Sequence, residues 1–264
     1  MNRRCEIMPT KLIDVNFDVR ADSNGKDPDN SSITLRQYHK LLWSKQLPNG
    51  KLFHLDDKKS GVYLYHKSEL GEYNLSSDSI IHTYFKWKRT QHIIKQMPKK
   101  EMSHFYNLAH TIGGYLIFPG NKINKLPTIN QERGTNKKIN DRIDLTLECI
   151  RRFYNNEISS MSDTIKRYKE YFELFSNFKC YCEYFFLQDL VSKDYSKIDF
   201  FLPFDNFETN PLPKDLDEYN IYSVGNIDFL CKRNKRIYDY SQKIEEKSLL
   251  RAELHAVLHF LRKL

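Results

Sequence analysis

The spacing of apolar residues changes halfway along the chain, and this change limits the folds available to it. In the first half, short apolar runs at residues 51–55, 62–66 and 115–118 are bounded by glycine, proline or charged turns, as β-strands are. In the second half, apolar residues recur every three or four positions, which is the spacing of one helix face. The sequence therefore predicts an α+β fold: a helix-rich globular domain with a small sheet mostly in its N-terminal half.

The predicted helices begin at capping residues and end at helix breakers. Ser31 or Ser32 is the expected N-cap of a helix that ends before Pro48. The Ser76-Ser77-Asp78 segment is expected to cap another helix over residues 80–97, although its hydroxyls can also serve a binding site. Further helices are predicted over residues 102–110, 141–154, 162–175, 178–191, 215–240 and 248–264, with a short strand over residues 198–201.

The predicted domain organisation is a single α+β domain over residues 1–240, followed by a C-terminal amphipathic helix over residues 241–264. The 40% of hydrophobic residues suffice for a core, and the sequence contains no internal repeat. The C-terminal helix either docks on the domain or binds a partner, such as an antitoxin or a regulatory protein. Its apolar face consists of Leu250, Leu254, Val257, Leu261 and Leu264.

The formal net charge of +8 favours a polyanionic partner, either nucleic acid (RNA or DNA) or an acidic protein. An ordinary basic protein remains the alternative. The chain also contains 17 tyrosines and 17 phenylalanines, whose rings either fill half-buried positions or stack on bases. Short basic clusters occur along the chain, at residues 86–89, 99–100, 137–138, 151–152, 232–233 and 235–236.

The cysteines and the hydropathy pattern indicate a cytoplasmic protein. The five cysteines are scattered, odd in number and without a Cys-x-x-Cys pair, which argues against disulfides and zinc knuckles. No apolar run reaches membrane length, and no apolar stretch follows the N-terminal arginines, so neither a membrane contact nor a signal peptide is expected. The histidines show no ligand spacing, so no structural metal is expected.

A dense polar block at residues 18–29 is the first candidate site. It combines Arg20 and Lys26 with aspartates and a tight turn, and Arg36 and His39 follow on the next predicted helix. The aspartates lack the spacing of a calcium-binding loop; they either bind Mg²⁺ or cap turns and pair with the basic side chains. P-loop, dinucleotide-binding and nucleophile-elbow motifs do not occur in the sequence.

The predicted helix over residues 141–154 is the second candidate site. Asp144, Glu148 and Arg151 share one face beside the apolar stripe, where a carboxyl group can act as an acid or a base. The alternative is an ordinary network of charges three and four residues apart. Just before this helix, Arg133 precedes Gly134 and is a candidate for binding a phosphate.

Several of these segments together resemble an uncharacterised bacterial family, a domain of unknown function. The resemblance is carried by the segments DxRxDxxGKDPD at residues 18–29, TLRxYHxxLWSK at residues 34–45 and DRxDLTLECIRR at residues 141–152. It extends to about residue 237, with the terminal helix outside it. The family implies no activity.

The first functional hypothesis is a toxin-like effector of toxin–antitoxin or phage-defence systems that acts on nucleic acid. The order of an early Arg36 or His39, a central Ser76 or Ser77 and a late Glu148 resembles that of NAD-dependent ADP-ribosyltransferases. That resemblance implies that Arg36 grips the NAD pyrophosphate and that Ser76 or Ser77 orients the nicotinamide ribose. It implies that Glu148 either stabilises the oxocarbenium-like transition state or activates the nucleophile. Arg20, Lys26 and Arg133 are the further candidates for binding NAD. The Ser-Thr-Ser run and the Glu-x-Glu or Gln-x-Glu pair of those enzymes are missing.

Two alternatives remain open. A metal-dependent nuclease would use Asp18, Asp22 or Asp27 together with Lys26. A non-enzymatic module would use its basic surface and aromatic rings to bind RNA or a protein, with no turnover of any substrate.

Overall fold

The computed structural model describes residues 12–58, 61 and 63–261, and shows a mixed α+β domain, as predicted. Its sheet has four antiparallel strands in the order β1-β2-β3-β4: Asp56–Asp57, Leu64–Ser68, Gly71–Ser79 and Tyr115–Pro119. The described helices are α1 Pro28–Ser31, α2 Ile33–Trp43, α3 Gln91–Ile94, α4 Lys99–Ala109, α5 Ile129–Thr135, α6 Ile143–Tyr154, α7 Ser162–Arg167, α8 Lys169–Glu173, α9 Phe178–Tyr184 and α10 Leu216–Leu261. None of these described helices combines the length and apolar character needed to cross a membrane.

Strand β3 is longer than its neighbour β2, and this difference creates an open edge. The β2–β3 pairing ends where Leu64 lies opposite Leu75. Residues 76–79 of β3 continue alone on that side while they pair with β4 on the other side. Helix α1 packs against β3 instead of a further strand. The polar block of the sequence is thereby brought to the end of β3.

Local capping explains the helices next to this edge. Asp27 accepts a hydrogen bond from the amide of Asp29, 3.2 Å away, and Pro28 occupies the first turn of α1. Ser32 caps α2 through a 3.0 Å bond from the amide of Leu35, which confirms the predicted cap. The predicted buried strand at residues 115–118 is confirmed as β4, in which every residue is buried.

The predicted helix over residues 80–97 is wrong for most of its length. Only Gln91–Ile94 is helical, as α3. Tyr84 has a positive φ of 54°, which interrupts a helix, and the carbonyls of His82 and Thr83 accept bonds from tyrosine hydroxyls of α10. The apolar residues at 80, 81 and 84 are buried as a helix face would be, but long-range contacts bury them in an extended segment.

The Ser76-Ser77-Asp78 segment belongs to strand β3 and does not cap a helix, which corrects the sequence-based prediction. Two predicted strands are reduced to isolated bridges, between Gln46 and Leu52 and between Val191 and Ile198. The predicted helices over residues 162–175 and 178–191 are shorter and broken into α7, α8 and α9. Because these segments contain polar, turn-forming residues, the spacing of their apolar residues poorly predicts where helices and strands begin and end.

The long helix α10 holds the two halves of the described fold together. It is continuous from Leu216 to Leu261, so the predicted boundary between residues 240 and 241 falls inside a helix. Arg233 is fully buried and donates to the carbonyls of Gly113, Tyr115 and Phe185. The bonds to Gly113 and Tyr115 tie α10 to the start of β4. The bonds to Phe185 tie it to the end of α9. The last three residues of the predicted C-terminal helix lie outside the described chain.

Candidate acid–base site

Asp29 occupies the open edge of β3 and is the centre of the candidate site. The backbone amide of Ser79 and the hydroxyl of Ser77 lie close enough to its carboxyl group to lower its pKa, although one carboxyl oxygen is buried without a hydrogen-bond partner. Burial, and secondarily the neighbouring Asp27, raise the pKa of Asp29 to about 7. A carboxyl group with this pKa exchanges a proton near neutral pH, as a general acid or base must.

Ser77 connects Asp29 to His39. The Nε2 atom of His39 lies 2.7 Å from the hydroxyl oxygen of Ser77. The imidazole is fully buried and stacks on Trp43, with ring centroids 4.5 Å apart. Burial, and then the charges of Arg233 and Arg36, hold the pKa of His39 well below its ordinary value. The ring is therefore neutral at pH 7 and can accept a proton from the serine hydroxyl.

Arg133 lies on the other side of this site and is bound to carboxylates of the protein. Its fully buried guanidinium forms an ion pair with Asp78 and lies 3.2 Å from a carboxylate oxygen of Asp141. Burial raises the pKa of Asp78 well above its ordinary value, the charge of Arg133 lowers it, and the carboxylates of Asp141, Asp29 and Asp27 raise it further. The predicted phosphate-binding Arg133 thus neutralises an internal cluster of carboxyl groups.

The basic residues selected from the polar block lie around this site and not within it. Arg20 binds Asp18 and, at 2.9 Å, the side-chain oxygen of Asn107 on α4. Arg36 donates to Asp57 at 3.3 Å and to the carbonyl of Gly61 at 2.6 Å. Lys26 is exposed in the loop before α1. Ligand contacts of these three cations remain predictions.

Ser76 faces the opposite side of β3 from Ser77, because successive side chains of a strand alternate. It lines a polar cavity of about 550 Å³. The other lining residues are Tyr63, Gly120, Asn121, Lys122, Thr128, Asn130 and Gln131. Ser76 and Ser77 therefore cannot contact the same small group from the same face of the strand.

The Glu148 carboxylate lies within a network of ion pairs on α6. It accepts bonds from Arg151 at 2.8 and 3.0 Å and from Arg152 at 2.6 Å. On the same helix, Asp144 pairs with Arg142 and accepts the amide of Phe201 at 3.0 Å. In the described residues, the hydrogen bonds of Glu148 all go to these two arginines, and none joins it to the polar block. A catalytic role for Glu148 remains a prediction from the sequence.

The sequence analysis did not select the carboxyl groups that share the site with His39 and Ser77. All three lie within segments that the sequence analysis singled out, and that placement was the available signal: Asp29 ends the polar block, Asp78 follows Ser77, and Asp141 begins the predicted helix over residues 141–154. In the part of the chain that the structure describes, no group of three His, Cys, Asp or Glu side chains is arranged to hold a metal ion. Cys5 lies outside the described residues, and the other four cysteines are free thiols.

The comparison with known families supports the resemblance seen in the sequence. Residues 13–237 match a family of unknown function, DUF6994. The chain belongs to this family. The matched region includes Asp29, His39, Ser77 and Arg133, and it ends within α10. No curated protein and no solved structure matches the chain.

Proposed function

We propose that this DUF6994 protein is a cytoplasmic effector enzyme, of the toxin or phage-defence kind, that modifies nucleic acid by a proton-coupled group transfer with NAD as the donor. One arrangement carries the proposal: a carboxyl group with a pKa of about 7, a serine hydroxyl and a neutral imidazole, contributed by Asp29, Ser77 and His39. Each of the three lies on a different element. A carboxyl group whose pKa is strongly raised by burial, beside a serine and a neutral imidazole, is typical of a functional site.

In the proposed reaction, these three residues accept the proton that the acceptor group releases and orient the groups involved. An acceptor hydroxyl or amine of the nucleic acid attacks the anomeric carbon of the nicotinamide ribose, and nicotinamide leaves with the bonding electron pair. Asp29, in its ionised form, takes the proton that the acceptor releases. Ser77 holds the carboxylate in place, while His39 keeps the serine hydroxyl oriented. In this scheme Asp29 performs the role that the sequence comparison had assigned to Glu148.

The proposal is tested by incubating the purified full chain with labelled NAD and total RNA, DNA or lysate protein, with and without EDTA. Label should be transferred to one nucleic acid irrespective of EDTA. Its rate should rise with pH through about 7, because Asp29 must lose its proton to act as the base. Asp29→Asn should abolish transfer. Asp163→Asn, which alters an exposed carboxyl group on α7, is the matched control and should keep full activity.

The other outcomes distinguish the competing functions. Transfer by Asp29→Asn at the wild-type rate would exclude the acid–base role of Asp29. An absence of label together with EDTA-sensitive shortening of the polymer would favour the metal-dependent nuclease. If neither label transfer nor shortening of the polymer is found, the favoured function becomes binding of nucleic acid or protein without turnover. The C-terminal helix would then be tested for binding of an antitoxin-like partner.

A further inference from the structure

One surface segment has a large excess of positive charge. Residues 86–101 contain six lysines and arginines against a single glutamate, a net charge of +5 out of the chain's +8. All six basic side chains are exposed: Lys86, Lys88, Arg89, Lys95, Lys99 and Lys100. Among the described residues, no ion pair joins any of the six to a carboxylate. Their charges are therefore available to an external anion.

The backbone that carries these cations is held in a fixed shape. Tyr84 is fully buried with a positive φ of 54°, and its hydroxyl donates to the carbonyl of Asn140 at 2.7 Å. The carbonyl of Tyr84 accepts bonds from the hydroxyl of Thr90 at 2.9 Å and the amide of Trp87 at 3.0 Å. A bulky residue in this unfavourable backbone conformation indicates that the surrounding contacts fix the shape of the turn. A preformed turn loses little entropy when it binds a ligand.

An exposed aromatic ring lies at the start of the same segment. Phe85 is 45% exposed, and its ring lies 5.7 Å from that of Tyr106 on α4. The two rings line a groove of about 490 Å³ together with Lys95 and Lys99. A nucleobase can stack on an exposed ring whatever its identity, provided that it is not paired in a duplex.

His82 lies beside this segment, within range of the charges of Asp141 and Arg133. Its ring lies 4.9 Å from that of Trp87 within the basic segment. Burial lowers the pKa of His82, and the charges of Asp141 and Arg133 also act on it.

We propose that Phe85 and residues 86–101, together the basic turn segment, form the contact surface for single-stranded nucleic acid. The six cations contact backbone phosphates, and one unpaired base stacks on Phe85. This inference names the substrate of the proposed function and rests on it. Contact with six phosphates predicts that the logarithm of the association constant falls with the logarithm of salt concentration with a slope of about −4.

The test measures the fluorescence anisotropy of a labelled single-stranded RNA, the same sequence as DNA, and its duplex, over a series of KCl concentrations. Removal of two cations by Lys88→Ala with Arg89→Ala should reduce the slope by about 1.4 and weaken binding several-fold. Phe85→Ala should weaken binding about ten-fold with an unchanged slope, since it removes stacking and no charge. Lys193→Ala with Lys197→Ala removes two exposed lysines elsewhere and is the matched control for the first pair.

Different results would contradict the proposed nucleic-acid surface and the proposed reaction. Binding of the single strand by the wild type without any label transfer would support the surface and reject the reaction. If the wild type transfers label but the Lys88/Arg89 and Phe85 variants keep its affinity and salt slope, the proposed surface is wrong and the proposed reaction stands. Equal or tighter binding of the duplex would overturn the single-strand assignment. Loss of affinity in the Lys193/Lys197 control equal to that in the Lys88/Arg89 pair would also overturn the surface.

Discussion

Replacing Asp29 with asparagine should change how the stability of the protein depends on pH. The pKa of Asp29 is about 7 in the folded protein and near 3.8 in an unfolded chain. Between these two values the folded state binds more protons than the unfolded state, so the free energy of unfolding falls as pH rises. The stabilisation from the protonated carboxyl group is complete below about pH 4 and is lost as the pH rises through about 7.

The size of this effect follows from the two pKa values. At about 1.4 kcal/mol for each pKa unit, the difference corresponds to about 4 kcal/mol. Asparagine does not ionise, so Asp29→Asn loses this dependence. The variant should match the wild type near pH 4 and exceed it by about 4 kcal/mol above pH 8. Asp78 also has a raised pKa, to which the charge of Asp29 contributes, so the difference between the two curves reports Asp29 together with its effect on Asp78.

Urea denaturation followed by circular dichroism, at intervals from about pH 4 to about pH 9, measures both curves. Asp163→Asn is the control, because it makes the same chemical change at an exposed position. Its curve should run parallel to that of the wild type. If the Asp29→Asn curve is parallel to the wild type as well, Asp29 is ionised across this range. The acid–base role proposed for it would then be untenable.

Three further substitutions probe the scaffold. Gly114→Ala should destabilise the protein by about 3 kcal/mol in urea denaturation, because the added Cβ would lie 2.0 Å from the carbonyl oxygen of Ala109; a smaller loss than about 1 kcal/mol would refute the close approach. Arg233→Met should cost about 3 kcal/mol in the same assay, since it leaves buried carbonyls unpaired, and an unchanged midpoint would contradict those bonds. Glu148→Gln should cost about 1–2 kcal/mol and leave label transfer intact, whereas a folded but inactive variant would restore Glu148 as the catalytic carboxylate.

Interactions between near neighbours were predictable from the sequence. The cap of α2 by Ser32 joins residues three apart, and its signature needs no knowledge of the fold. The pairs of Glu148 with Arg151 and Arg152 also lie within one helical turn, and the sequence analysis had named a charge network as its alternative. Strand β4 was recognisable because a short apolar run between Gly114 and Pro119 is typical of a buried strand.

Two segments show where such prediction fails. The polar residues at the end of β3 favour caps and turns, and only pairing with the distant β4 makes them a strand. The segment after it has apolar residues at helical spacing, yet hydrogen bonds from α10 and the buried Tyr84 hold it extended. In both cases contacts across long stretches of chain outweigh weak local preferences.

The sequence by itself determined the α+β class, the family and the local caps, because these depend on composition and on residues a few positions apart. Only the tertiary structure decided the candidate site. It brought Asp29, His39 and Ser77 together from separate elements and buried the imidazole of His39 and one carboxyl oxygen of Asp29. A pKa depends on burial and on charges that surround a group in space, and neither is encoded in local spacing. The same carboxyl group in an exposed loop would be an ordinary aspartate.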